Sequence, residues 1–259
     1  MLRAALLFFF CLVAPAYADR YALGYDGAAV GVIDLGHATV DADVSADSYQ
    51  ISATMRTVGL MNWFERTNIT ASASGDFRYG GVHWRHYDLD HYYGRKHRVI
   101  AMQTADDGAV TSTITPTYRI WGDPAASDEQ IRRSRDPLST LIAMAIDVGQ
   151  SQRCSGSYPT FDGRFHYLLS LAGGTRARYN GGGYRGPILR CTLSYVPVAG
   201  YEADDRGRLR EPHGQVWFAL VPDANFAPPI RMVTPLVAGG ATIRLTSWHR
   251  AIVSVADTN

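Results

Sequence analysis

Lysine is almost missing from this chain. Lys96 is the single example, so arginine supplies nearly all of the 25 basic residues that stand against 24 acidic ones. The bias admits two readings, bidentate anion recognition and the codon usage of a GC-rich genome. Long apolar runs are scarce too: one, Ala4 to Val13, lies near the start and no second follows. It falls short of the ~20 residues that a spanning helix needs. A basic residue before it (Arg3) and the small-x-small triplet Ala16-Tyr17-Ala18 after it predict a secretory signal peptide, residues 1–18, cleaved after Ala18. The only early cysteine, Cys11, sits inside the apolar run and Asp19 begins the mature chain, so no lipid anchor is expected. The expected product is periplasmic and does not span the membrane.

Removing the signal takes away Arg3 and no acid, which leaves 24 basic residues against 24 acidic ones. Nothing in that balance favours nucleic acid or an anionic surface through bulk charge. Of the three cysteines in the sequence, two survive cleavage, Cys154 and Cys191. An even pair in an oxidising compartment predicts a disulfide, and its 37-residue separation predicts a stabilisation of roughly 3 to 4 kcal/mol. The alternatives are a redox pair, usually spaced C-x-x-C, and a zinc site, which needs further ligands.

Familiar catalytic patterns are missing: there is no G-x-S-x-G elbow, no Walker loop and no H-E-x-x-H. Gly181, Gly183 and Gly186 match G-x-G-x-x-G by letter, but Pro187 and a strand follow where a dinucleotide site needs a helix, so the stretch reads as a hairpin. No cofactor is expected.

What the chain has in abundance is strand. Runs at 21–25, 30–42, 48–58, 63–73, 82–90 and 97–104 are rich in β-branched and aromatic residues, with breaks expected at Asp26-Gly27, Ser74-Gly75 and Asp107-Gly108. Further runs at 165–171, 189–196, 215–221, 230–235 and 242–255 continue a meander of antiparallel strands. One helix interrupts it. Asp136 is placed as N-cap, Pro137 at the first helical position and Gly149 just beyond the end. Its stripe of Leu138, Leu141, Ile142, Ala145 and Ile146, widened by Ala143 and Met144, leaves little polar surface, so it should be buried. Ser127 and Gln130 fit a capping box for a shorter helix before it. The expected fold is mainly β: a curled antiparallel sheet, half-barrel or β-spiral, wrapping this apolar helix, with residues 19–259 as a single domain.

Two sets of residues are candidates for function. His86, Asp88 and Asp90 share one face of a strand, with neighbours roughly 6 to 7 Å apart, and could serve a hard cation or an acid/base site, or form a solvated polar face. The second set is a string of motifs: Cys154, Phe161-Asp162-Gly163-Arg164, then Tyr184, Gly186-Pro187, Cys191, and Tyr195, Pro197, Gly200-Tyr201. It resembles the pattern C…F-D-G-R-R-Y…Y-x-G-P-x-x-C…Y-x-P-x-x-G of a proteobacterial family of exported proteins classed as a domain of unknown function. Here Phe165-His166 stands where a second arginine is usual, so no role for that arginine carries over.

The resemblance implies a layout similar to periplasmic lipoprotein carriers, in which a curled sheet wraps a helix and leaves an apolar concavity. It also implies a fold-holding role for the motif. Asp162-Gly163 suits a tight turn with Arg164 pairing Asp162 or a carbonyl, Pro197 and Gly200 suit a place where a strand leaves the sheet, and the cysteines would clamp two neighbouring strands. Two functions follow as expectations. One is a non-catalytic envelope protein that binds a lipid, another apolar ligand or a protein segment. The other is a hydrolase-like enzyme acting on envelope polymers, with Asp162, Arg164 and the His86/Asp88/Asp90 face as its candidate groups.

Overall fold

The computed structural model describes residues 17–30, 33–58, 66–78, 80–202, 213–236 and 239–254. The apolar run, Arg3, Cys11 and Ala16 of the expected signal lie outside them, as do 63–65 of the expected fourth strand. The described chain forms strands β1 (Tyr17–Ala29), β2 (Ile33–Val44), β3 (Ser48–Thr57), β4 (Thr67–Arg78), β5 (Gly81–Tyr93), β6 (Lys96–Thr104) and β7 (Val110–Thr115). Helices α1 (Asp128–Arg132) and α2 (Pro137–Ser151) follow, and then β8 (Gly156–Phe161), β9 (His166–Gly181), β10 (Tyr184–Ala199), β11 (His213–Ala219), β12 (Pro229–Leu236) and β13 (Gly239–Ser254).

All 13 strands belong to one antiparallel sheet in the order β7-β6-β5-β4-β3-β2-β1-β13-β12-β11-β10-β9-β8. Two meanders therefore meet at β1 and β13, where Tyr21 faces Arg250 and Leu23 faces Trp248. The sheet ends at β7 and β8 and does not close into a barrel, and Arg135 forms a parallel bridge to Thr160 on the outer side of β8. It curls around α2 as expected. Tyr49 on β3 donates its hydroxyl to Ser139 Oγ (2.6 Å), and Trp84 on β5 donates its indole N–H to the Ser134 carbonyl just before the helix (2.9 Å). The two edges are brought near each other by the β8–β9 turn, where a Cβ on Gly163 would lie 3.0 Å from Ile100 of β6.

Helix α2 starts as its sequence demands. Asp136 Oδ1 accepts the Ser139 amide (2.9 Å) and Pro137 occupies the first turn. Its end differs from expectation: the helix runs on through Gly149 to Ser151 and is closed by Gln152 in the left-handed region, φ 52. Gly149 is glycine because the backbone of Asn225 presses on it, and Ala227 donates its amide to the Ala145 carbonyl in the same contact. The capping box of α1 is formed, Ser127 with Gln130.

Other boundaries move for similar reasons. Asp26-Gly27 and Ser74-Gly75 are not breaks but lie inside β1 and β4, each beside a register shift. A Cβ on Gly75 would stand 2.6 Å from the Tyr49 hydroxyl, so this glycine serves a close approach and not a turn. Asp107-Gly108 is a true turn, with Gly108 at φ 81. The expected run 30–42 is divided, because Val30 turns at φ 51 and β2 begins at Ile33. The letter match to G-x-G-x-x-G is the β9–β10 hairpin, with Gly182 and Gly183 at its tip.

Candidate ligand cavity

The interior of the curl is not filled. Helix α2 divides it into two spaces on opposite faces of its cylinder. Ala143, Ile146, Asp147 and Gln150 look onto a space of mixed lining that receives Phe77, Val82 and Ile252 as well as Asp19, Arg135 and Arg250. Leu141, Ile142 and Met144 look onto an apolar cavity of about 700 Å³. Its walls are inward side chains at strand period: Leu23 and Tyr25 of β1, Ala38, Val40 and Ala42 of β2, Ile51 of β3, Leu193 of β10, Val216 and Phe218 of β11. The small residues Ala38 and Ala42 explain why space remains, since the sheet sends no bulk toward the helix there. The alternation of Ala38, Val40 and Ala42 with polar Thr39 and Asp41 was the signal available in sequence for this wall.

A closed, empty apolar void of this size would cost ~17 kcal/mol at the usual penalty per unit of cavity volume, more than a domain of this kind has to lose. The cavity is not closed. Leu141 and Ile243, both on its lining, are each 37% exposed and mark its mouth. Leu141 was expected inside with the rest of the helix stripe; it is exposed because it looks into the opening.

Beside the mouth lies most of the motif string. Asp162 Oδ1 accepts the amides of Arg164 (2.9 Å) and Phe165 (2.7 Å), with Gly163 at φ 101 completing the turn from β8 to β9. Burial pushes the Asp162 carboxyl up, against the pull of those two amides. The guanidinium of Arg164 does not pair with Asp162. It lies over the Phe165 and Tyr118 rings and reaches Glu202 at 3.4 Å. Phe165 stacks on Tyr201, whose hydroxyl is bonded to that of Tyr195, and Tyr195 packs on Tyr167 with centroids 4.9 Å apart. Of this cluster, Asp162, Tyr167 and Tyr195 reach the cavity lining.

Pro197 and Gly200 stand where β10 loses its register with β9 and ends, Gly200 at φ 89 with its Cα packed on the Arg164 carbonyl. Phe161 is buried at the end of β8. His166, in the motif's divergent position, is buried with neither ring nitrogen hydrogen-bonded among the described residues, and burial lowers its pKa.

The remaining motif residues lie at the far end of β10. The Tyr184 hydroxyl donates to the Pro187 carbonyl (2.7 Å), and a Cβ on Gly186 would come within 2.5 Å of that hydroxyl. The disulfide Cys154–Cys191 is present, with Cα atoms 5.4 Å apart. It does not clamp neighbouring strands: Cys154 lies in the linker between α2 and β8, Cys191 on β10, and β9 runs between.

The His86/Asp88/Asp90 set is far from these groups in environment. All three project from the outer face of β5, His86 and Asp88 exposed, while Tyr87 points inward and is buried. Asp90 bonds His97 at 3.1 Å, and His86 and Asp88 lie across from Ser74 and Ser72. Among the described residues no three His, Cys, Asp or Glu side chains converge as a metal would need. The sheet separates this polar face from the cavity.

An open, curled antiparallel sheet around one helix, with an apolar chamber left between them, defines the class of protein. The chain belongs to the family described as "Protein of unknown function (DUF3108)", which residues 20–246 match. Its fold is similar to that of a crystal structure from Brucella abortus described as a beta-barrel-like protein of domain of unknown function DUF1849. The two share 10% identity over 90% of this chain and 98% of that one, with a TM-score of 0.54. No curated protein matches the chain. No helix among the described residues is long and apolar enough to cross a membrane.

Proposed function

We propose that the protein is an exported, non-catalytic protein of the cell envelope, working in the periplasm after cleavage at Ala18, that binds the apolar chain of a lipid-like amphiphile in the cavity beside α2. One observation carries the reading: an apolar chamber of about 700 Å³, open at Leu141 and Ile243, in a protein whose helix could have filled it. That volume falls in the usual range of small-ligand sites. Each methylene moved from water into such a chamber contributes ~0.8 kcal/mol, so a chain of sixteen carbons supplies about 13 kcal/mol, enough for micromolar binding after an association cost of ~5 kcal/mol.

The polar end of the ligand would be met at the mouth by the hydroxyls of Tyr167 and Tyr195 and by the carboxyl of Asp162, whose pKa burial raises. Asp162 gives less support to the alternative of a hydrolase, because Oδ1 is already committed to two amides of its own turn. The test is mass spectrometry of an organic extract of the purified protein. A stoichiometric amphiphile in the extract supports the reading, and an extract without one, from protein that also takes up no added fatty acid, refutes it.

A further inference from the structure

The ends of the strands at the cavity mouth differ from the opposite ends in exposed apolar groups and, along β1 to β5 and β13, in charge pairing. Register places them together: Ile33 faces Ala29, Met55 faces Ala38, Arg56 faces Asn68, and Asn68 faces Tyr92. Here Val30, Ile33, Met55, Tyr92 and Ile243 are exposed, as is Trp121 on the loop whose Asp123 amide bonds the Tyr201 carbonyl. At the other end Ile252 is the exposed large apolar group among the described residues.

Charge pairing also differs along β1 to β5 and β13. Away from the mouth, the arginines of these strands are held by carboxylates, Arg20 with Asp43 (2.7 Å), Arg78 with Asp76 (2.8 Å) and Arg250 with Asp19 (2.8 Å), whereas Arg176, Arg178 and Arg185 at the far ends of β9 and β10 make no ion pair among the described residues. Around the mouth Arg56, Arg66, Arg95, Lys96 and Arg244 make no ion pair among the described residues. Of the carboxylates there, Asp26 is spent on His37, Asp90 on His97 and Glu202 on Arg164, while Asp34, Asp123 and the buried Asp162 make no ion pair among the described residues. Exposed apolar side chains ringed by unpaired cations complement one kind of surface, an interface of hydrocarbon under anionic phosphates.

We infer that the mouth end of the sheet docks on an anionic phospholipid bilayer, its apolar side chains entering between headgroups and its arginines and Lys96 engaging their phosphates. This rests on the amphiphile-binding reading, for which it supplies the route: a chain leaving the bilayer reaches Leu141 and Ile243 without crossing water.

The experiment is co-sedimentation of the full chain, as processed by its host, with vesicles of phosphatidylglycerol and phosphatidylethanolamine and with vesicles of phosphatidylcholine. Two variants are compared, Arg56→Glu/Lys96→Glu/Arg244→Glu at the mouth and Ile252→Ser at the other end, each first shown to melt as wild type does. Docking predicts binding to the anionic vesicles at least about tenfold above the neutral ones, lost on added salt and in the triple variant and kept in Ile252→Ser. No binding, equal binding to both vesicles, or binding untouched by the triple variant overturns it. Fluorescent fatty-acid titration without vesicles separates the two proposals. Normal titration with no vesicle binding removes the docking surface and spares the cavity, whereas vesicle binding with no titration does the reverse.

Discussion

Gly174 lies directly under the sulfur of Cys154: a Cβ on that glycine would stand 3.4 Å from Sγ. The disulfide thus passes over β9 at a bulge formed by Gly173 and Gly174, between the pairs Arg190–Thr175 and Thr192–Ala172. Without two glycines at φ 72 and 136 the linker after α2 could not be fastened to β10 across an intervening strand. Replacing Cys154 or Cys191 by Ser is expected to remove roughly 3 to 4 kcal/mol and to lower the melting temperature by ~10 °C. Calorimetry with and without reductant checks this, and an unchanged transition would show that the bridge holds nothing.

Gly149→Ala is expected to destabilise, against the ordinary preference of a helix for alanine by ~1 kcal/mol. The added Cβ would overlap the Asn225 backbone and stand 2.9 Å from the Phe226 amide, forcing the segment before β12 off the helix. Overpacking of this kind costs about 2 kcal/mol net. Denaturant unfolding decides the sign, and a stabilised variant would mean that α2 and this segment are not packed as described.

Asp136 sets a pH dependence. Burial raises its carboxyl from 3.8 to about 6, offset in part by the hydrogen bonds it accepts from Ser139 and Leu138. Its Oδ2 has no partner among the described residues. Since the folded value is the higher one, the folded state holds the proton that the unfolded state releases between about pH 4 and 6. Stability is then greatest at low pH and falls through this window by ~3 kcal/mol. Asp136→Asn keeps the cap on Ser139 and removes the charge, so its decline in stability between pH 4 and 6 should be ~3 kcal/mol smaller than that of the wild type. Identical slopes in the two proteins would assign the dependence elsewhere.

Apart from Asp162 and Tyr195, which line the cavity, the motif string is expected to hold the fold and not to act on a ligand. In Gly186→Ala the new methyl displaces the Tyr184 hydroxyl from the Pro187 carbonyl, at the far end of β10 from the cavity mouth. The melting temperature should drop by several degrees while fatty-acid affinity per folded molecule stays the same. A loss of affinity with no loss of stability would give this part of the motif a direct role.

The local elements were largely legible in the amino-acid sequence. Asp136, Pro137 and the Ser127/Gln130 box set helix starts by backbone rules that need no partners, and alternation such as that from Ser48 to Met55 marks a strand wherever it ends up. What was not legible depends on contacts between segments far apart. Gly149 and Gly75 look like punctuation along the chain but are places where another segment comes close. Cys154 and Cys191 declare a bond without declaring that β9 lies beneath it. The strands β7 and β8, short and polar at one face, carried too little pattern to be expected at all. The cavity was foreseen as a concavity through family resemblance; alternation marks Ala38, Val40 and Ala42 as one strand face, but that this face borders open space follows only once α2 is placed opposite.

The account stands or falls on whether that wall receives a ligand, and titration of a fluorescent fatty acid into wild type and Ala38→Trp tests it most directly. The indole would occupy the space that Ala38 leaves open beside Tyr25 and Ile243. The account predicts saturable, micromolar, one-to-one binding to the wild type, reduced at least about tenfold in Ala38→Trp with no loss of melting temperature. Absence of saturable binding to the wild type, or equal binding to both proteins, would contradict it.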